Sequence, residues 1–201
     1  GSDRLLVVGL AIAPSDVLIT SIVYAGGTLT NVATFVDSVS DNRISIQYLI
    51  APTTGTNNIV TTLNANASCA FMMAVSYNGA AQTSVLDANT TGARDATSPF
   101  GGAVTTLTAN DLVVLASIDN DVTTAARTAN DGSSVEQFDT SLDPRGDYFA
   151  HILNTGATGA KTLDYTDASV VEASVMLAAF KEVQVAGAAQ AAFKNLLGVG
   201  I

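Results

Sequence analysis

Tryptophan is absent from this 201-residue chain, and cysteine and histidine occur once each. With Cys69 alone, no intrachain disulfide forms. Its surroundings, "NASCAFMMAVSY", read as a core segment in which the thiol serves as a small hydrophobe. Nucleophilic catalysis needs a base beside a Ser or Cys, and the one candidate, His151, sits inside an expected strand, "DYFAHIL", as a structural residue. A zinc centre of His and Cys requires three or four ligands, which one of each does not supply. Without Trp, a sugar-stacking surface falls to Tyr24, Tyr48, Tyr77, Tyr148 and Tyr165.

Positive charge is also scarce. Five Arg and three Lys stand against fifteen Asp and three Glu, for a net charge of −10, and no basic cluster interrupts the acidic balance. A polyanion finds no complementary stripe, which argues against nucleic acid or an anionic membrane surface as a partner. No unbroken apolar stretch of about 18 residues marks a membrane span. No charged-then-apolar leader pattern is visible, and a chain opening on Gly1 rather than Met is expected to be a mature or excised piece. An extracellular or virion-surface location fits a chain without disulfides in bacteria or virions better than eukaryotic secretion.

What is present is core material: 48% of residues are apolar and only 13% charged. Short apolar or alternating runs recur between clusters of Gly, Asn, Asp, Ser and Thr, the signature of a sandwich or barrel. "RISIQYLIA" (43–51) places Ile44, Ile46, Tyr48 and Ile50 on one face and Arg43, Ser45, Gln47 and Leu49 on a face expected to be mostly wet. "RLLVVGLAIA" (4–13) and "CAFMMAVSY" (69–77) are apolar nearly throughout, as central strands covered on both faces or lying at a subunit contact. "VLITSIVYAGGTLT" (17–30) is a hairpin, with Gly26-Gly27 supplying positive φ. Residues 120–146 and 87–102 read as long loops, the places to look for a ligand.

After Glu182 the composition shifts to "VQVAGAAQAAFKNLLGVGI". Ala188, Ala189, Ala192, Phe193, Leu196 and Leu197 follow helical spacing, so the tail is expected either as a helix or as a strand exchanged onto a neighbour's sheet edge. The domain reading is a sandwich over residues 1–182 and an assembly tail over 183–201, whose contact residues are Val185, Ala189, Phe193, Leu196 and Leu197.

From Gly1 to about Lys181 the chain resembles an all-β domain that recurs in bacterial secreted and surface proteins and in phage structural proteins. The likeness rests on "GSDRLLVVG", the "TSIVYAGGTLT" hairpin, "RISIQYLIAPTTGTNNIVTTL", "VSYNGAAQTSVLDA" and "DLVVLAS" in that order. It implies an antiparallel, jelly-roll-like β-sandwich similar to concanavalin-like domains, and an adhesive, glycan-binding or assembly role rather than an enzymatic one. It also implies a strand ahead of "GSDRLLVVG", either left out here or filled by another chain.

Calcium is the one cofactor the sequence raises. Asp119, Asp121 and Asp131, with Asp139 and Asp143 nearby, bring hard oxygen ligands into one region, although the spacing is not that of a helix-loop-helix calcium loop. A glycosidase would need a carboxylate pair, for which Glu136 and Glu172 are candidates without a distinguishing spacing. "RGD" at 145–147 is read as a turn before a strand. The expected function is a non-enzymatic structural subunit that forms homo-oligomers or packs with other shell proteins; the alternative is a glycan-binding adhesion module.

Overall fold

The computed structural model describes residues 3–120, 127–130, 134–142, 145–153, 155–167, 172–183 and 194–196. Seven strands come from the first part of the chain: β1 (Arg4–Ala13), β2 (Ile19–Tyr24), β3 (Gly27–Thr28), β4 (Thr30–Asp37), β5 (Asn42–Ile50), β6 (Ile59–Leu63) and β7 (Cys69–Asn78). Three connect the parts: β8 (Leu86–Asn89), β9 (Ala93–Asp95) and β10 (Phe100–Thr106). Seven follow: β11 (Leu112–Asn120), β12 (Thr128–Ala129), β13 (Ser134–Leu142), β14 (Arg145–Ile152), β15 (Gly159–Thr166), β16 (Glu172–Phe180) and β17 (Lys194–Leu196). The protein is an all-β sandwich whose strand pairs are antiparallel.

Four sheets stack as layers. Two inner sheets, ordered β17-β7-β1-β5-β4 and β13-β14-β11-β16-β8 with β9 also on β16, pack face to face. Two three-stranded outer sheets, β3-β2-β6 and β10-β15-β12, cover their backs. The alternation of "RLLVVGLAIA" explains the layering. Leu5, Val7 and Ala11 join Phe149, Met176 and Phe180 between the inner sheets, while Leu6, Val8, Leu10 and Ile12 join Ile22, Tyr24 and Leu29 beneath the first outer sheet. A third core forms under the second outer sheet, where Val113, Leu115, Val175 and Leu177 meet Phe100, Val104, Leu163 and Tyr165. Of the two doubly apolar strands, β1 is therefore covered on both faces within one chain, whereas β7 buries one face and leaves the other row half-buried or exposed.

The same layering corrects several expectations. Ser45 and Gln47 are buried rather than wet, because the first outer sheet lies over that side of β5. The hairpin after β2 turns on Ala25 (φ 49°) and Gly26 (φ 83°), one residue earlier than the Gly-Gly pair, because Gly27 already pairs with Tyr24. Ser134–Leu142 and Arg145–Ile152 pair as β13 and β14, so that residues 134–142 and 145–146, expected in a loop, are strand; the edge strand β13 is too polar to read as core. Within 87–102, β8 and β9 lie along β16. Lys194–Leu196, expected either as helix or as a strand exchanged onto a neighbour's sheet edge, form a strand that pairs with Asn78–Ser76 of the same chain, and that pairing places the described part of the tail within the sandwich.

The two halves of the chain repeat one another. Val7 pairs with Tyr48 and Val75 as Val114 pairs with His151 and Ala178; Gly9 pairs with Ile46 and Met73 as Ala116 pairs with Phe149 and Met176. The order β7-β1-β5-β4 thus matches β16-β11-β14-β13, and β2-β6 matches β12-β15. Even the bulges coincide, between Asn31 and Ala33 in β4 and between Glu136 and Phe138 in β13. Edge strands are exchanged between the halves: β8, which follows β7, pairs with β16, and β17, which follows β16, pairs with β7. The two crossing segments meet at the Ala80–Glu182 bridge, flanked by bonds from Ala81 N to Lys181 O and from Val183 N to Gly79 O.

Candidate functional site

Alternation along β11 sends Ser117 and Asp119 to the same side as Val113 and Leu115, into the layer beneath the second outer sheet. There Asp119 accepts hydrogen bonds from Ser117 Oγ at 2.9 Å, from the Tyr165 hydroxyl, and from Arg127 Nε at 2.6 Å. Arg127 also bonds Asp139 through its backbone N–H and Nη1, and lies 3.8 Å from Asp167. Asp147 is buried close by. Burial raises the Asp119 carboxyl against the pull of Arg127. It pushes Asp147 up to about 7, opposed by Arg127 and reinforced by Asp119 and Asp139. One guanidinium thus holds together a group of buried carboxyls.

A second polar cluster ties the two inner sheets at one end. Ser40 donates to Glu172, which also receives Asn120 Nδ2 at 2.9 Å and an ion pair from Arg94. Asn42 donates to Asn120 at 3.2 Å and accepts from Arg145, while Ser174 donates to Asp37 at 3.0 Å. Burial raises Asp37, but hydrogen bonds from Ser40, Ser174 and Val39 outweigh it and leave the carboxyl below its usual value.

In the middle of the core, Tyr77 and His151 meet edge to face at 5.4 Å, with the hydroxyl 3.0 Å from Nδ1. Burial lowers His151 to about 4. The repeat supplies the twin of this contact: Tyr48 and Phe180, the counterparts of His151 and Tyr77, meet edge to face at 5.6 Å.

The crossing of the exchanged segments carries a cavity of about 310 Å³, lined by Gln82, Thr108, Lys181 and Glu182 among others. Glu182 is 1% exposed and neither of its carboxyl oxygens takes a hydrogen bond. Burial raises its pKa. Nearby, Asp111 is pushed up to about 7 by burial, an effect that Thr108 opposes and Asp87 reinforces.

The sequence-derived candidates are distributed as follows. Asp119 lies in the first cluster with protein donors on both oxygens, the place a cation would hold being taken by Arg127. Asp121 and Asp131 lie outside the described residues, and among those described no group of three or more His, Cys, Asp or Glu is arranged to hold a metal. Of the assembly residues, Leu196 pairs with Ser76, while Val185, Ala189, Phe193 and Leu197 fall outside the described residues. Glu136 and Glu172 belong to different clusters. Of the five tyrosines, Tyr24, Tyr77, Tyr148 and Tyr165 are core residues rather than sugar platforms. "RGD" is strand rather than turn, since Arg145–Asp147 pair with both β11 and β13. Arg127 and Glu182 were not singled out by sequence, and Asp147 was read only as part of "RGD"; for Asp147 the available signal was an acid at the head of the otherwise apolar strand "DYFAHI". No protein-family model, no curated protein and no solved structure matches this chain.

Proposed function

We propose that the chain is a non-enzymatic structural subunit that self-assembles or packs with other shell proteins in a phage virion, a tail or a bacterial extracellular filament. The observation that carries this reading is the reciprocal exchange of edge strands between two repeated halves, β8 onto β16 and β17 onto β7. Strand addition supplies main-chain hydrogen bonds along a whole edge, which is how β-rich subunits join without dedicated side-chain chemistry. The polar clusters support the same reading: Glu172, Asp119 and His151 are bonded to protein groups and serve to lock layers together. The resemblance to surface and phage structural domains supports the setting.

The test is solution mass by light scattering, with negative-stain microscopy, for the full chain and for a chain ending at Glu182. Ordered oligomers or filaments from the full chain, lost on truncation, support the reading. Monodisperse monomers of the full chain at every concentration remove it.

A further inference from the structure

Among the described residues the two halves differ at one outer-sheet edge. In the second, β10 lies along β15, in register from Phe100 opposite Tyr165 to Thr106 opposite Gly159. Its Phe100, Val104 and Thr106 are buried. Beneath them Ala173, Val175, Leu177 and Ala179, the outer row of β16, are each at most 1% exposed. In the first half, β6 holds the position of β15, yet among the described residues no strand pairs with the edge of β6 that faces away from β2. The matching row on β7 shows the consequence: Ala70 is exposed, and Met72, Ala74 and Ser76 are only half-buried.

The edge itself is unprotected. "IVTTL" contains no charge, no proline and no glycine, and Val60 is 55% exposed. Free edges in monomeric sheet proteins are ordinarily blunted by charge, proline or a bulge. Thr61, on the inward side, donates to the Met72 sulfur at 3.8 Å.

We propose that the free edge of β6 is the acceptor for an antiparallel strand presented by a separate polypeptide, an uncharged extended segment with apolar side chains at alternate positions, patterned like β10. The β10–β15 contact is the template for the bound state. It also sets one difference in the donor. Gly102 of β10 lies over Leu177, whose Cδ1 stands 3.5 Å from where a Cβ at Gly102 would be. The counterpart of Leu177 is Ala74, since Leu115 pairs with Leu177 as Val8 pairs with Ala74. The smaller alanine leaves room, so the donor carries a branched apolar residue where β10 has glycine. This inference names the partner chemistry for the assembly reading and rests on it.

The experiment uses the full chain and three synthetic peptides: the sequence of residues 98–108, the same peptide with Gly102→Val, and the Gly102→Val peptide N-methylated at alternate backbone positions on its pairing edge. Hydrogen exchange of residues 59–63 is the readout. Saturable protection of at least tenfold by the Gly102→Val peptide, weaker protection by the unaltered sequence and none by the N-methylated peptide support the proposal. No protection by any peptide at millimolar concentration overturns it. So does protection that appears without peptide as the protein concentration rises, because a second copy then fills the edge. Peptide binding by a chain that stays monomeric in the mass measurement supports the acceptor edge while removing the assembly reading; assembly without peptide binding does the reverse.

Discussion

Gly9 and Ala116 are counterparts in the repeat, and they face each other across the two inner sheets: a Cβ placed on Gly9 would stand 3.1 Å from the Ala116 Cβ. The local pseudo-twofold axis passes between them. Two equivalent side chains meeting there compete for one space, and the chain resolves the competition by leaving one of them out. Met73 and Phe149 close the remaining sides, each 3.3 Å from the same point.

That crowding gives the first prediction. Gly9→Val overpacks the axis and lowers stability by about 1–3 kcal/mol. Gly9→Ala is milder, and its penalty is reduced in the exchanged pair Gly9→Ala/Ala116→Gly, which restores one methyl to the axis. A double-mutant cycle by urea denaturation should return a favourable coupling of about 0.5–2 kcal/mol. Strict additivity would mean that the two positions do not share a space.

The Tyr77–His151 pair predicts an acid-side loss of stability. The folded-state pKa of His151 is about 4, against 6.5 for a free imidazole. Between those values the unfolded chain binds more protons, so stability contributed by the neutral imidazole is full above pH 6.5 and is lost as pH falls toward 4, by about 2–3 kcal/mol. His151→Leu should lack this component of the pH dependence. Tyr77→Phe, which leaves the imidazole nitrogen unsatisfied, should cost about 1–2 kcal/mol at pH 7. Urea midpoints at pH 7 and 4.5 for the three proteins are the check.

Asp147 acts in the opposite direction. Its carboxyl titrates near 7 in the folded protein, above the usual 3.8. The folded state therefore binds the extra proton, and this contribution is present in full below pH 4 and fades as pH rises through 7. Asp147→Asn keeps the shape without the ionisation, so its stability relative to the parent should grow by about 2 kcal/mol between pH 5 and 8. An unchanged difference across that range would place the ionised carboxylate in a better-solvated setting than its burial indicates.

Arg127 is the single cation inside its cluster. Removing it strands Asp119, a fully buried carboxylate with a 2.6 Å bond to the guanidinium. Arg127→Met should cost about 3–5 kcal/mol, and the double variant Arg127→Met/Asp119→Leu should recover part of it, because the fully buried Asp119 is then gone while Asp139 and Asp167 still lack their cation. Arg127→Lys should also be poor, since one ammonium does not span Asp119 and Asp139 as the planar fork does. Thermal melts of the four proteins decide it.

Strand identity was legible where burial followed a simple period. Ile44 and Ile46, and the unbroken apolar face of "RLLVVGLAIA", announce inner strands because both faces of a covered sheet must be apolar. β13 was not legible: an edge strand paired on one side tolerates Glu136, Gln137 and Asp139, and its sequence then looks like loop. The repeat was hidden for a related reason. Register and bulge position are conserved between the halves, but the residues are not, as Tyr48 against His151 and Val75 against Ala178 show. The first polar cluster was half legible: the sequence brought Asp119 and Asp139 into one region but as ligands of a cation, and gave no sign that Arg127, which lies between them in the chain, fills that place.

The exchange of edge strands leads to the last prediction. Residues 1–110 contain β1–β7 together with β8–β10, which in the whole protein serve the other half. Expressed alone, this fragment has a complete inner strand set and no second half to receive its donor strands. The repeat offers a substitute: a second copy of the fragment presents β7 where β16 stood and β6 where β15 stood. The fragment should therefore form a two-fold dimer in which each copy lends β8 to the other's β7 and β10 to the other's β6, with Gly9 facing Gly9 on the axis and no methyl between them. Closed C2 exchange of identical elements is an accessible route to dimers because it reuses contacts already present in the fold. Light scattering should give twice the fragment mass. A fragment ending at Asn78, which lacks the donor strands, should not dimerise, and a stable monomer of residues 1–110 would show that the exchanged strands do not transfer between equivalent edges.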